Sequence, residues 1–340
     1  MVVLPHVTKV GSVRKLAAIL IASAFVVSVA ACSDLPAQVQ NCVTPYAAGN
    51  ASKSITAKGT IGQDPKAKVP TPTVAKKVEV STVKAGTGLK LGKDDIAIVQ
   101  LSLYDAKTGT SLGSTGSSGF TRAAAIQSTV GTKEVLSKAL QCQTVGSRVA
   151  TVLTAADYFG SASTATSQGV DPKQLIVAVE DIIKGYRGRA TGSLQPLQSG
   201  FPSVVTSGNG TPGLTLDLQE PPKTAQHELV RGGSGAVVKA GQKVLLQVQA
   251  IAWTNPAPTT TFDSTWTSVT PRFYTLTALK KNAGGQSLDA ASVKALVGDR
   301  VGSQVLVVVP PKDGYPKGKA PSGYPTDDTL IFVYDILGVY

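Results

Sequence analysis

The chain has 340 residues, of which 42% are hydrophobic, and this is enough to form more than one buried core. Lysine and arginine number 33 against 21 acidic residues, and the formal net charge is +12. The basic residues are scattered and aromatic residues make up only 5%, so the sequence lacks the features of a nucleic-acid-binding protein. We also expect no metal site, because one histidine beyond the N-terminal region and no carboxylate cluster give no ligand set for zinc or calcium.

The N-terminal segment is predicted to be a lipoprotein signal peptide that covers residues 1–31. Three basic residues precede an uncharged apolar run from Leu16 to Ala31, which is shorter than the ~20 residues of a spanning helix. Two alanines then precede Cys32, as in a bacterial lipobox. We therefore expect Cys32 to carry the lipid and to anchor the protein on the extracytoplasmic side of the cell membrane. A plain cleaved signal and a single membrane span are the alternatives.

Two cysteines remain when the lipidated one is set aside, Cys42 and Cys142. An even pair in an oxidising compartment favours one disulfide bond. Two free thiols, one in a flexible N-terminal segment and one in the core, are the alternative.

An internal repeat indicates two copies of one unit. Four short matches occur in the same order: Val83–Gly88 with Val230–Gly235, Val145–Val149 with Val301–Val305, Asp157–Gly160 with Asp313–Pro316, and Leu175–Val177 with Leu330–Phe332. The sequence thus predicts a tether and extension over residues 32–76, a first domain over 77–184, a linker over 185–224 and a second domain over 225–340.

Each copy is predicted to be strand-rich with one short helix. Apolar strands are expected at Ile96–Leu103 and Val244–Ile251. The helices are expected at Lys133–Gln141 in the first copy and Leu288–Leu296 in the second, the latter capped by Ser287. The fold class is therefore α+β, with antiparallel strands wrapped around one short helix in each copy.

The segment between the copies, from Gly185 to Lys223, is rich in glycine, serine, proline and threonine and is predicted to be a linker. Apolar residues in Phe201–Val205 and Leu214–Leu218 leave open that part of it packs on the domains as an added strand. A comparable segment, Gly62–Thr73, precedes the first copy.

The triplet Phe262-Asp263-Ser264, a Pro/Gly-rich flap in Val301–Pro316 and the strand Thr329–Leu337, in that order, resemble an FKBP-type peptidyl-prolyl isomerase. The resemblance covers roughly Lys77–Ile183 and Ala225–Tyr340. It implies an FKBP-like fold for both domains and a site that uses no metal, nucleophile or cofactor.

The resemblance assigns roles in the second copy. Phe262 and Phe332 would form the pocket wall, Asp263 would face the twisting carbonyl, and Tyr315 would bond to the substrate backbone. Tyr324 lies beside the flap proline Pro325. Further pocket positions are Val248, where the family commonly has a tyrosine, and either Phe273 or Tyr274, between which the sequence does not decide.

Two departures from the family pattern bear on activity: Val248 stands where the family commonly has a tyrosine, and no aromatic residue occurs in Asn282–Val293, where the family has a pocket tryptophan. Trp266 could supply the lost apolar surface or have a rim or core role. The first copy is more degenerate, because it has no Phe-Asp pair in Gly109–Phe120 and Val177 is matched to Phe332. We therefore expect the first domain to be non-catalytic.

The resemblance predicts an isomerase that acts on proline-containing segments of exported polypeptides at the outer face of the cytoplasmic membrane. The alternative is a binding or chaperone lipoprotein that kept the fold and lost the chemistry. A wall-binding role would rest on net charge alone.

Overall fold

The computed structural model describes residues 42–115, 126–216, 220–253, 260–268, 270–282 and 285–340, without the side chains of 126 and 260. The predicted signal peptide, the lipidation site Cys32 and part of the extension lie outside these ranges. The described residues are mostly β-sheet with a few short helices. Within them, no helix combines the length and the hydropathy needed to cross a membrane.

The described part of the chain begins with a short helix and a hairpin. Helix α1 spans Asn50–Ser54, and strands β1 (Thr56–Lys58) and β2 (Lys66–Lys68) pair antiparallel. Their apolar residues Ala51, Ile55 and Val69 are buried against the first sheet.

Six strands form the first sheet, in the order β3-β7-β8-β4-β5, with β6 also on β4. They are β3 (Glu79–Lys84), β4 (Ile96–Asp105), β5 (Ser111–Ser114), β6 (Ile126–Thr129), β7 (Arg148–Thr154) and β8 (Leu175–Tyr186). Three helices accompany it: α2 (Val135–Ala139), α3 (Ala155–Phe159) and α4 (Ala162–Ser167).

The predicted linker contains regular structure. Strand β9 (Ser193–Leu194) pairs with β12 (Gln226–Gly232) of the second sheet, and β10 (Ser203–Thr206) and β11 (Pro212–Thr215) form a second hairpin. The strand added to the second sheet is thus β9, whereas the apolar segments Phe201–Val205 and Leu214–Leu218 contribute to the separate hairpin that packs on that sheet.

Seven strands form the second sheet, in the order β14-β13-β17-β16-β12-β9, with β15 also on β13. Its remaining elements are β12 (Gln226–Gly232), β13 (Lys243–Trp253), β14 (Thr260–Ser264), α5 (Thr265–Ser268), β15 (Arg272–Thr275), α6 (Ala290–Leu296), β16 (Gln304–Val309) and β17 (Thr329–Val339).

Strands β16 and β17 are apolar at nearly every position because both faces of the second sheet are covered. Leu306 and Ile331 face the β10–β11 hairpin, through its residues Val204 and Leu214. The alternate residues pack against α6 and the loops on the other face. A strand buried on both faces reads as a continuous apolar run, which explains the sequence pattern.

The two predicted helices, observed as α2 and α6, are shorter than predicted, and α6 is capped by a different residue. The Asp289 carboxylate accepts from the Ser292 backbone N–H at 2.8 Å and so begins α6. The predicted cap Ser287 is wrong, because a cap must lie directly before the first helical residue to reach the free N–H groups. The carbonyl of Ser287 instead accepts from Tyr315.

The strand registers correct the predicted match between the last strands. Gln100 pairs with Asp181 in the first sheet, and Gln247 pairs with Asp335 in the second. Counting from these pairs, Phe332 corresponds to Ala178, and the predicted partner Val177 lies one residue off, on the opposite face. The sequence match failed because one residue of slip along a strand preserves its apolar character while exchanging its faces.

The two sheets belong to one compact unit, Pro36–Tyr340. Ile96 and Tyr186 of the first sheet share a cluster with Leu245 and Leu337 of the second. Tyr186 packs so closely on Gly338 that a Cβ there would lie 2.1 Å from its ring. Cys42 and Cys142 lie at disulfide distance, with 2.03 Å between their sulfur atoms.

Candidate functional site

Three of the four predicted catalytic residues and Tyr324 form one aromatic cluster in the second sheet. The centroid of the Phe262 ring lies 4.7 Å from that of Tyr324 and 6.2 Å from that of Phe332. The Tyr315 and Tyr324 centroids are 5.8 Å apart, and these neighbouring rings meet edge to face. The cluster joins strands β14 and β17 to the loop between β16 and β17.

Asp263, the fourth predicted catalytic residue, lies at the edge of this cluster and forms a bidentate ion pair. Arg272 donates from Nη1 and Nη2 to its two carboxylate oxygens at 2.6 and 2.8 Å. The Tyr324 hydroxyl also donates to Asp263. Burial raises the pKa of Asp263, but the hydrogen bonds from Arg272 and Tyr324 outweigh it, and the pKa is lowered. The carboxylate is therefore charged and fixed in orientation.

Sequence reasoning missed Arg272 as part of the site. Its strand β15 pairs with β13, which also pairs with the strand that carries Asp263. The sequence feature that could have indicated its role is a single arginine, between Pro271 and the aromatic pair Phe273-Tyr274. A buried carboxylate normally requires such a partner.

Tyr315 does not offer its hydroxyl to the pocket. The side chain is 7% exposed, and the hydroxyl donates to the backbone carbonyl of Ser287 at 2.7 Å. The predicted bond to a substrate backbone does not fit this arrangement. A buried phenol needs a partner, and the extended segment before α6 provides one.

The structure decides between Phe273 and Tyr274. Tyr274 is 2% exposed and belongs to the core behind the aromatic cluster, as does Val248. Phe273 lies on the opposite face, where it packs on Tyr340 with 5.3 Å between ring centroids. Phe273 is therefore not a pocket residue. Neighbouring residues of a strand point to opposite faces, so only one of the two could be.

The space at the cluster is filled. The Tyr324 ring lies among the other three, with its centroid 4.7 Å from that of Phe262, 5.8 Å from that of Tyr315 and 6.4 Å from that of Phe332. A proline ring could enter only if Tyr324 moved out.

Trp266 does not contribute apolar surface to this cluster. It lies in α5 and lines a different cavity of about 280 Å³ with Arg187, Asp95 and Gln247. Across the described ranges, no group of three histidine, cysteine or acidic side chains could hold a metal ion.

No protein-family model matches the chain, and no curated protein matches it. Among solved structures, the chain is similar to FkpA from Escherichia coli at 21% identity, over 40% of this chain and 51% of that one, with a TM-score of 0.28. The chain thus matches about half the length of FkpA.

Two plant structures are also similar. The three FKBP domains of wheat FKBP73 match at 14% identity over 77% of this chain and 94% of that one, with a TM-score of 0.31. The N-terminal domain of FKBP42 from Arabidopsis thaliana matches at 17% identity over 37% and 98%, with a TM-score of 0.28. These structural neighbours are FKBP proteins. At such values the likeness carries no weight for activity, which depends on the residues of this chain.

Proposed function

We propose that the chain is an FKBP-like peptidyl-prolyl cis-trans isomerase with its site in the second sheet. The observation that carries the proposal is the charged Asp263, held by Arg272 and Tyr324 at the edge of an aromatic cluster. Its substrates are proline-containing segments of exported polypeptides. Each of the two sheets, with its short helices, is one FKBP-like domain, and the first is non-catalytic.

Such a site works without covalent chemistry. The barrier to rotation is about 18–20 kcal/mol because the amide loses its resonance. The twisted amide is less polar than the planar one, so apolar walls from Phe262 and Phe332 favour it by excluding water. Asp263 provides a fixed charge beside the twisting bond, where its field acts strongly because the site is shielded from water.

Substrate must displace the Tyr324 ring, and this competition predicts weak activity. Moving Tyr324 breaks its hydrogen bond to the charged Asp263, and such a bond contributes about 1.5–3 kcal/mol. The resulting loss of affinity would be roughly 10- to 100-fold, since 1.4 kcal/mol is a factor of ten.

A second candidate function is a non-catalytic peptide-binding or chaperone lipoprotein. Two observations favour it: Tyr324 fills the aromatic cluster, and the Tyr315 hydroxyl is bound to Ser287. A protein that kept the fold and closed the pocket would have these features.

The proposed location is the extracytoplasmic face of the cell membrane, with a lipid anchor at Cys32. Two features support it: the signal-like N-terminus and the cysteine pair at disulfide distance, which suits an oxidising compartment. Labelling of the full chain in a bacterial host with a palmitate analogue tests the anchor. Label should appear in the wild type and be absent from Cys32→Ser.

Protease-free isomerisation assays on residues 33–340 test the activity. We expect turnover of several X-Pro peptides, with a loss of tenfold or more in Asp263→Asn and in Phe262→Leu. Asp327→Asn is the matched control, because this aspartate is exposed and lies in the same loop as Tyr324. Near-UV circular dichroism checks that each variant is folded. A folded wild type without turnover would contradict the isomerase and favour the binding protein.

A further inference from the structure

The first sheet has small or acidic residues at three positions where the second sheet has aromatic ones. Ala97 pairs with Ser128 as Val244 pairs with Tyr274, and Leu101 pairs with Glu180 as Val248 pairs with Tyr334. The third exchange is Ala178 at the position of Phe332, as the registers require. Three rings are therefore missing from the core of the first copy.

The missing rings leave a hollow. In the second sheet one continuous apolar cluster runs from Val244 to Phe332 and Tyr334. In the first sheet the corresponding residues fall into two separate clusters, around Val99 and around Leu101. Between them lies a hollow of about 820 Å³, which could hold several peptide residues. Its lining includes Val99, Leu101, Ser128, Leu136, Tyr158 and Glu180.

Glu180 lies in this hollow without a hydrogen-bond partner at its Oε2 atom among the described residues. The side chain is 2% exposed. At the corresponding position of the second sheet, the Tyr334 hydroxyl donates to Ser292 at 3.0 Å. Burying a carboxyl without a partner is unfavourable by several kcal/mol in its charged form. An orphan of this kind in a hollow indicates a functional role.

We propose that the hollow of the first sheet binds a peptide segment that inserts a lysine side chain, whose ammonium group pairs with Glu180. The apolar stem of the lysine would lie along Val99, Leu101 and Leu136, as long cationic side chains do on apolar surface. A purely apolar ligand would leave the Glu180 oxygen unpaired. An arginine would bring five donors to one free acceptor, whereas the compact ammonium group suits a single oxygen.

The charges around Glu180 leave it available. Burial alone, without a neighbouring charge, raises the pKa of Glu180 to about 8. The other charged groups that line the hollow are Lys93, Asp94, Lys133, Glu134, Lys138 and Asp157. Asp157 is bound to Thr154 as a helix cap, and Glu134 is exposed. Glu180 is thus neutral in the free protein at pH 7 and would release its proton when a cation binds.

Titration calorimetry with two peptides tests the proposal on residues 33–340. One probe is acetyl-Ala-Leu-Lys-Leu-Ala-amide, and the other has norleucine in place of lysine, which removes only the charged group. We expect the lysine peptide to bind about fiftyfold more tightly at pH 8 than at pH 6, because the ionised fraction of Glu180 rises by that factor. The affinity of the norleucine peptide should be weaker and should not rise with pH.

Glu180→Gln is the decisive variant, and Glu134→Gln, an exposed carboxylate at the rim of the same hollow, is its matched control. Glu180→Gln should abolish the pH dependence and reduce the lysine peptide to the affinity of the norleucine peptide. Glu134→Gln should retain the pH dependence. The proposal would be overturned if the two peptides bound equally and both bound more weakly above pH 8. The neutral carboxyl of Glu180 would then be donating a hydrogen bond to a peptide carbonyl. Binding of neither peptide to the folded protein would overturn it as well.

Discussion

Arg148 donates from Nε and Nη2 to the two carboxylate oxygens of Asp181, at 2.6 and 2.7 Å, and both side chains are almost completely buried. The same guanidinium group donates to backbone carbonyls of the β1–β2 hairpin, those of Ala57, Gly59 and Thr60. One side chain thus connects the first sheet to its hairpin. In the second sheet a neutral glutamine stands at the position of the arginine: Gln304 donates to Asp335 at 2.7 Å.

Replacement of Arg148 by alanine should destabilise the protein by about 3–5 kcal/mol, because it leaves Asp181 buried without a cationic partner and with only the Gly62 backbone N–H donating to it. Arg148→Gln reproduces the arrangement of the second sheet and should be less harmful. Urea denaturation followed by circular dichroism measures both free energies of unfolding. Equal and small losses in the two variants would show that the ion pair does not stabilise the first sheet.

Glu180 should make the protein less stable as the pH rises. Its pKa is about 8 in the folded state and is expected near 4.5 in the unfolded chain, so the folded state holds an extra proton between these values. Stability is then fully present below about pH 4.5 and is lost as the pH rises to about 8, by on the order of 4 kcal/mol.

The Glu180→Gln variant isolates this effect, since glutamine does not titrate and Asp335 contributes equally to both proteins. The difference in free energy of unfolding between variant and wild type, measured from pH 5 to pH 8.5, should grow steadily up to about pH 8. A difference that stays constant over this range would contradict the burial of an unpaired carboxyl.

The bond between Cys42 and Cys142 should stabilise the first sheet by constraining the unfolded chain. The two cysteines are 100 residues apart, and a loop of this length corresponds to about 4.7 kcal/mol in the chain-entropy model. The double variant Cys42→Ser, Cys142→Ser should unfold at lower urea concentration than the oxidised wild type. Reduction of the wild type should give the same result, and a reduced protein of unchanged stability would contradict the prediction.

Removal of the Tyr324 ring should open the aromatic cluster of the second sheet. We expect Tyr324→Ala to bind an Ala-Pro peptide about 100-fold more tightly than the wild type, because the peptide no longer displaces the ring or breaks its bond to Asp263. Tyr324→Phe keeps the ring and loses only the bond to Asp263, so its affinity should lie between the two. Titrations followed by NMR measure these affinities. Weaker binding by Tyr324→Ala would instead make the ring part of the binding surface.

The repeat and the short helices could be predicted because turn residues and apolar runs are local features. The convergence of Phe262 and Phe332 followed from the resemblance. The one-residue error at Val177 arose because loops of different length separate the strands in the two copies, and apolar runs align equally well in either register. Only the hydrogen-bonded pairs show that Ala178 and Glu180 occupy the positions that Phe332 and Tyr334 occupy in the second sheet.

The filling of the pocket could not be predicted, since it depends on where a loop places a ring. Tyr324 lies some sixty residues from Asp263, yet its hydroxyl completes the hydrogen bonds of that carboxylate. Val248, at a position where the family commonly has a tyrosine, provides no such group. The sequence shows that the tyrosine is absent at Val248, but only the structure shows that Tyr324 donates a hydrogen bond to Asp263.

The β10–β11 hairpin determines where a stable fragment of the second half of the chain can begin. It covers the same outer face of its sheet that the β1–β2 hairpin covers in the first, opposite Leu306 and Ile331 in one case and Val152 and Val177 in the other. A fragment that begins at Ala225 would expose this apolar face to water and should aggregate. A fragment that begins near Arg187 retains the hairpin. The repeated unit is thus a sheet together with its preceding hairpin.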